Sequence, residues 1–252
     1  MRSSTPIGEF FLILLAFSLV AVLLHFAFRH PRLCSDEARS KPADTVQAVI
    51  GGMFALSMAF LANAIWTTDD RARDAVNSEA HSIRLMHIYA YVLDAAPHER
   101  LDGLVASYAK AAALEWNDMN EGRASKKAEQ QLEDIYRFVL GGLPPDGPTP
   151  LLQQRLLVTL EGLSAARQQR LSISQEIVRE WQWFLVIGLA LVLLVTVATV
   201  HAARPAARAR ALAVMVTALT VMFFVVATYQ RPFSGAGALT PAPILEAAKA
   251  LR

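Results

Sequence analysis

The sequence predicts an all-α membrane protein: four spans, with a helical bundle inserted between the second and the third. Three observations predict it. Of the 252 residues, 54% are hydrophobic and only 18% charged, against about 45–50% and about 25% in an ordinary soluble chain. The excess sits in four runs, residues 10–28, 45–68, 181–200 and 211–230, none of which contains Asp, Glu, Lys or Arg. At about 1.5 Å of rise per helical residue, about 20 residues cross a hydrocarbon core roughly 30 Å thick. Finally, residues 69–180 between the middle two runs carry helical periodicity and no β-type alternation. A soluble enzyme, a disordered chain and a disulfide-stapled domain do not fit this pattern.

Span 1 begins after Arg2 and is too long for the apolar core of a cleaved leader. The residues after it, Arg29-His30-Pro31-Arg32-Leu33-Cys34, offer neither a small-x-small cleavage site nor a lipoprotein site. We therefore expect a retained span. Cys34 is the only cysteine and makes no internal disulfide. A short polar link with Pro42 leads to a possible N-cap, Asp44.

Span 2 meets no proline or glycine after Thr68, and Val76, Ile83, Met86 or His87, and Ala90 continue the helical spacing. One long helix, half in lipid and half in water, is expected, broken at Pro97. A second bundle helix spans about residues 97–120, with Leu101, Leu104, Val105, Tyr108, Ala112 and Trp116 on one face. A third covers about 125–140 on Leu132, Ile135 and Val139, and ends in a Gly- and Pro-rich loop over 141–150. A fourth starts near Leu151 and runs into span 3. Spans 3 and 4, joined by about ten residues, form an antiparallel hairpin. The organisation is thus 1–68 for the first two spans, 69–180 for the bundle, 181–230 for the last two spans, and 231–252 for a Pro-containing turn and amphipathic tail.

Trp66, Trp181, Trp183 and Tyr229 fall at the bundle-side ends of their spans, as ring side chains do in the headgroup layer. The positive-inside rule leaves the side open. Arg29, Arg32, Arg39, Lys41, Arg204, Arg208 and Arg210 lie on the short loops. Arg2, Arg71, Arg73, Arg167, Arg170, Arg179 and Arg231 oppose them. The lower weight of long connections leans toward an outside bundle.

Several chemistries lack their motifs. His81, His87 and His98 invite a metal reading, but no HExxH, Cys–His pattern or EF-hand loop is present, and a step of six does not align two ligands on one helix face. No metal or cofactor is expected. No GxSxG, P-loop or dinucleotide fingerprint points to an enzyme. A net charge of +2 gives no case for nucleic acid. His25, near the basic end of span 1, reads as an interfacial histidine.

At the end of span 2, Gly51-Gly52-Met53-Phe54-Ala55-Leu56 and then Asp70-Arg71-Ala72-Arg73-Asp74-Ala75-Val76-Asn77-Ser78-Glu79-Ala80 resemble the bestrophin-like family of bacterial membrane proteins. Arg231-Pro232-Phe233-Ser234-Gly235 matches the turn that closes span 4 in that family, and the spacing of the spans matches over nearly the whole chain. The resemblance implies a multi-pass protein of the bacterial cytoplasmic membrane. Through the more distant true bestrophins it implies a homo-oligomer, a pentamer by analogy alone, that conducts small anions. It would also put the bundle inside, against the charge lean.

The site residues follow from that resemblance. Ile50, Phe54 and Met58, at four-residue steps, are similar to the apolar neck of a bestrophin and would gate by dewetting. Ordinary packing or lipid contact is the plain alternative. Gln47 and Asn63 are the polar residues of this span, equally suited to interhelical bonds or to a pore. Gly51-Gly52 would let neighbouring backbones approach. Arg71, Arg73 and Glu79 could form vestibule charge; Glu79 could instead pair with the turn of Arg231, Pro232 and Gly235. The expected partners are lipid, further copies of the chain and small inorganic ions. The rival reading is a non-conducting sensor or scaffold signalling through its bundle.

Overall fold

The computed structural model describes residues 6–29, 42–119, 123–143, 149–175, 180–234 and 237–251. All regular structure among them is helical: α1 (Pro6–Ala27), α2 (Pro42–Ala90), α3 (Ala95–Met119), α4 (Lys126–Arg137), α5 (Pro150–Gln175), α6 (Glu180–Val200), α7 (Pro205–Thr228) and α8 (Ala242–Lys249). A five-residue π turn, Phe138–Gly142, extends α4. Four of these helices are long and apolar enough to cross a membrane.

The chain divides into two compact units. The membrane unit holds Met1–Thr67, Ile177–Gln230 and Gly235–Gly237. In it α1 packs along α7, which also meets α6. Its core includes Phe17, Phe54, Met58, Ile65, Leu194, Leu219 and Phe223. Arg208, fully buried on α7, closes the far end of α1: its Nη1 donates to the Phe28 carbonyl at 3.3 Å and its Nη2 to that of His25 at 3.1 Å. These are last-turn carbonyls with no helical partner of their own, at the negative end of the helix dipole.

The bundle unit holds Thr68–Glu176, Arg231–Ser234 and Ala238–Arg252. Its core joins Val76, Ile83 and Met86 of α2 to Leu101, Val105 and Tyr108 of α3, Ile135 of α4, and Leu156, Leu160 and Leu163 of α5. Phe233 and, on α8, Ile244 enter the same core. Arg231–Ser234 and Ala238–Arg252 thus group with the bundle, and α8 packs on α3 through the buried Ile244 and Ala247.

Some boundaries differ from expectation. The long helix starts at Pro42, ahead of Asp44, and ends at Ala90. Pro97 then lies in the first turn of α3, where a missing N–H costs nothing. Gly141 and Gly142, expected in a loop, sit in the π turn. The passage from α5 to span 3 at 176–179, Cys34, the residues 144–148 of the loop, and Gly235 lie outside the described residues.

Candidate functional site

Span 2 carries the residues of the expected constriction. Phe54 and Met58 turn inward within the membrane unit, at 6% and 0% exposure, and Ile50 is half-buried against the same core. The Phe54 ring stacks on Phe223 with centroids 6.4 Å apart. Residues at four-residue steps share a face, and this face is the one that packs against the other spans. The outward face carries Val49, Met53, Leu56 and Phe60, at 58%, 54%, 60% and 67% exposure. Asn63 continues it, exposed, while Gln47 is half-buried. Within this chain a Cβ at Gly51 would meet Leu193 at an ordinary 3.9 Å, and one at Gly52 would meet nothing within 4 Å. An apolar groove of about 1060 Å³ runs between α2 and α7, lined by Met58, Ala62, Trp66, Thr217, Val221 and Val225. Of the four ring side chains expected at the interface, Trp66, Trp181 and Tyr229 are exposed, whereas Trp183 is tucked against Phe223, 6.2 Å away.

Beyond Thr68, Arg71 and Arg73 are exposed on α2. Arg73 Nε donates to the buried Asp69 carboxylate at 2.9 Å. Glu79 does not join them as vestibule charge. It is fully buried, because the 72, 75, 76, 79, 80 and 83 positions form the stripe of α2 that faces the bundle core.

Glu79 is one member of a buried ion network. Its Oε2 accepts from Arg170 Nε at 2.7 Å, and its Oε1 from Arg170 Nη2 at 3.1 Å and the Tyr108 hydroxyl at 2.6 Å. Arg170 Nη2 also reaches Glu115 Oε2 at 3.0 Å. Arg167 donates to Glu115 through Nη2 at 2.7 Å and Nε at 3.2 Å, and the Ser125 N–H donates to the same carboxylate at 2.8 Å. Two carboxylates balance two guanidinium groups, so the interior carries no net charge there. Burial alone would raise the Glu115 carboxyl, but the Arg167 hydrogen bonds and the Arg170 charge outweigh it and hold it below the usual range. Burial, then the Glu79 carboxylate, push the Tyr108 hydroxyl well above the usual tyrosine range. Burial opposes the charge on Arg170, and Glu79 more than restores it.

The turn after span 4 touches this network through an aromatic. The Arg170 guanidinium lies over the Trp116 ring, 4.6 Å from its centroid. Phe233 meets Trp116 edge-on at 5.9 Å. The indole N–H donates to the Leu239 carbonyl at 2.9 Å, and the Leu239 N–H to that of Pro232 at 2.7 Å. The Ser234 N–H closes the turn on the Arg231 carbonyl at 3.2 Å. Glu79 pairs with Arg170 and Tyr108 rather than with the turn; Arg170, Trp116 and Phe233 stand between them.

Of the three histidines, His81 is exposed on α2. His87 and His98, which spacing along a single helix does not align, face each other across the α2–α3 turn and share Asp102. His87 Nδ1 lies 2.9 Å and His98 Nε2 3.1 Å from the same carboxylate oxygen. Asp102 stands on a different helix from His87 but four residues after His98 on α3, and that i,i+4 spacing is the signal in the sequence that could have found it.

A model of the bestrophin-like domain matches residues 10–244. The chain belongs to the bestrophin-like family. Solved structures of similar fold include two of a bacterial bestrophin homolog from Klebsiella pneumoniae. An alanine variant of it has 11% identity and a TM-score of 0.76, covering 96% of this chain and 97% of that one. A structure phased on zinc has 12% identity and a TM-score of 0.72, covering 96% of each chain. A membrane protein with a proline-to-alanine substitution has 11% identity and a TM-score of 0.74 over 97% of each chain. Among curated proteins none matches. Family and spans together make the chain a bestrophin-like protein with four helices long and apolar enough to cross a membrane.

Proposed function

We propose that this bestrophin-like protein is a homo-oligomeric channel of the bacterial cytoplasmic membrane that conducts small anions passively. The observation that carries the proposal is the outward stripe of α2. Val49, Met53, Leu56 and Phe60 are large, apolar and exposed on the isolated protomer, and Asn63 and Thr67 continue their three- and four-residue spacing. In this reading copies of the chain gather around an axis with that stripe inward. Ile50, Phe54 and Met58 then stand behind it and set its angle. Rings of Leu56 and Phe60 make a short apolar constriction that gates by dewetting. Exposed charges on the next turns of α2, Arg71 and Arg73 among them, flank one mouth. The anion preference and five-fold symmetry come from kinship with bestrophins.

Ion flux from proteoliposomes, under chloride and potassium gradients separately, tests the reading. Chloride-selective flux that Phe60→Ser enlarges supports it. Absence of flux across pH and calcium conditions, from folded and oligomeric protein, shifts the weight to a non-conducting scaffold.

A further inference from the structure

We propose that His87, His98 and Asp102 form a binding site for one zinc-class divalent ion per protomer. One donor atom from each residue lies within 4.8 Å of the other two. They come from the last turn of α2 and the first two turns of α3, so the site spans a corner rather than a single helix. Asp102 is buried, its side chain 11% exposed. Its Oδ2 faces both imidazoles, while its Oδ1 has no hydrogen-bond partner among the described residues. A buried carboxylate oxygen without a donor is costly, and a cation beside it removes that cost.

The donor set selects the metal. Two imidazole nitrogens and one carboxylate oxygen are a zinc set, with a fourth position open to water. Calcium and magnesium prefer all-oxygen sites. Ligand atoms of a tetrahedral zinc ion lie about 3.3–3.5 Å apart, given bonds of about 2.0–2.2 Å. The His–Asp spacings of 2.9 and 3.1 Å need only open slightly. The Tyr91 ring packs against both imidazoles, with centroids 4.8 and 4.9 Å away, and holds their planes. Bound there, the ion would staple the end of α2 to the start of α3. The inference does not depend on whether the protein conducts.

The test uses the full-length protein, purified, chelator-stripped and exchanged into metal-free detergent buffer. Titration with Zn²⁺ by calorimetry should show one saturable site per protomer. Titration with Co²⁺ should give the intense visible bands of a tetrahedral ion. His98→Gln, at a partly exposed position, and Asp102→Asn should each weaken Zn²⁺ binding by more than about tenfold, with helix content and oligomeric state unchanged. His81→Gln should leave it unaltered. Wild-type protein without a saturable Zn²⁺ site, or Zn²⁺ binding that survives both His98→Gln and Asp102→Asn, overturns the proposal.

Discussion

Arg170 and Glu79 stand 91 residues apart in the chain and meet in a two-bonded ion pair, both side chains at 0% exposure. The pair welds α5 to α2 inside the bundle, and Tyr108 of α3 donates a third bond to the same carboxylate. Removing one partner strands a charge away from water. Arg170→Met is expected to destabilise the bundle by about 3–5 kcal/mol, because Glu79 and part of Glu115 lose their donors. The double change Arg170→Met with Glu79→Leu should recover much of that loss, since neither buried charge is then left alone. Thermal unfolding of the full-length protein, followed by helix signal, checks both. A double variant no more stable than Arg170→Met would mean that the bundle depends on the ion pair for more than charge balance.

The same network sets a pH window. Glu115 has its folded pKa lowered, so its stabilisation is complete above the unfolded value of about 4.3 and is lost as pH falls through the depressed folded one. Tyr108 has its folded pKa raised, so its share is complete below the unfolded value of about 10 and is lost as pH rises beyond it. Bundle stability should form a plateau between those limits and fall on both sides. Tyr108→Phe should remove its part of the alkaline fall while leaving the acid one. Melting temperatures across pH read this directly.

How much of this is legible in the sequence depends on what each residue needs. Charge-free runs and helical periodicity are local, so the spans and the bundle helices can be read from the chain alone. The inward turn of Phe54 cannot. In an apolar span every face is apolar, and periodicity does not say which one meets the protein's own helices and which a neighbour or lipid. The Glu79–Arg170 pair joins residues too distant for any spacing rule. The His87–Asp102 contact is within reach. Two helices joined by the short turn at residues 91–94 run back along each other and bring together positions on either side of it, as His87 with Asp102 and Glu79 with Tyr108. Considering the histidines on one helix at a time hides it.

Glycine offers a paired prediction of opposite sign. Gly103 lies inside α3, and a methyl group added there would meet nothing within 4 Å. Gly103→Ala should stabilise the bundle by about 0.5–1 kcal/mol, by limiting the unfolded chain. Gly142 closes the π turn, and a methyl there would stand 2.9 Å from Phe138 Cδ2. That ring is buried in the bundle core and lies beneath Arg100. Gly142→Ala should therefore cost about 1–3 kcal/mol through overpacking. Gly141→Ala, with open space around it, is the control. Melting temperatures of the three variants should rank Gly103→Ala highest and Gly142→Ala lowest.

Span 2 separates packing from conduction by two phenylalanines six residues apart. Phe54 is inside the membrane unit on Phe223; Phe60 is outside and 67% exposed. If the outward stripe lines an ion path, Phe60→Ser shortens its apolar stretch and admits water, so basal chloride flux should rise several-fold with little change in melting temperature. Phe54→Ser removes a ring from a packed contact and leaves a hydroxyl among apolar side chains, so it should lower the melting temperature first. Any change in flux should then follow from loosened helices. Measuring flux and melting on the same preparations assigns the constriction. Flux that rises with Phe54→Ser at unchanged stability, and not with Phe60→Ser, would return the neck to the Ile50, Phe54 and Met58 face and require α2 to turn about its axis in the oligomer.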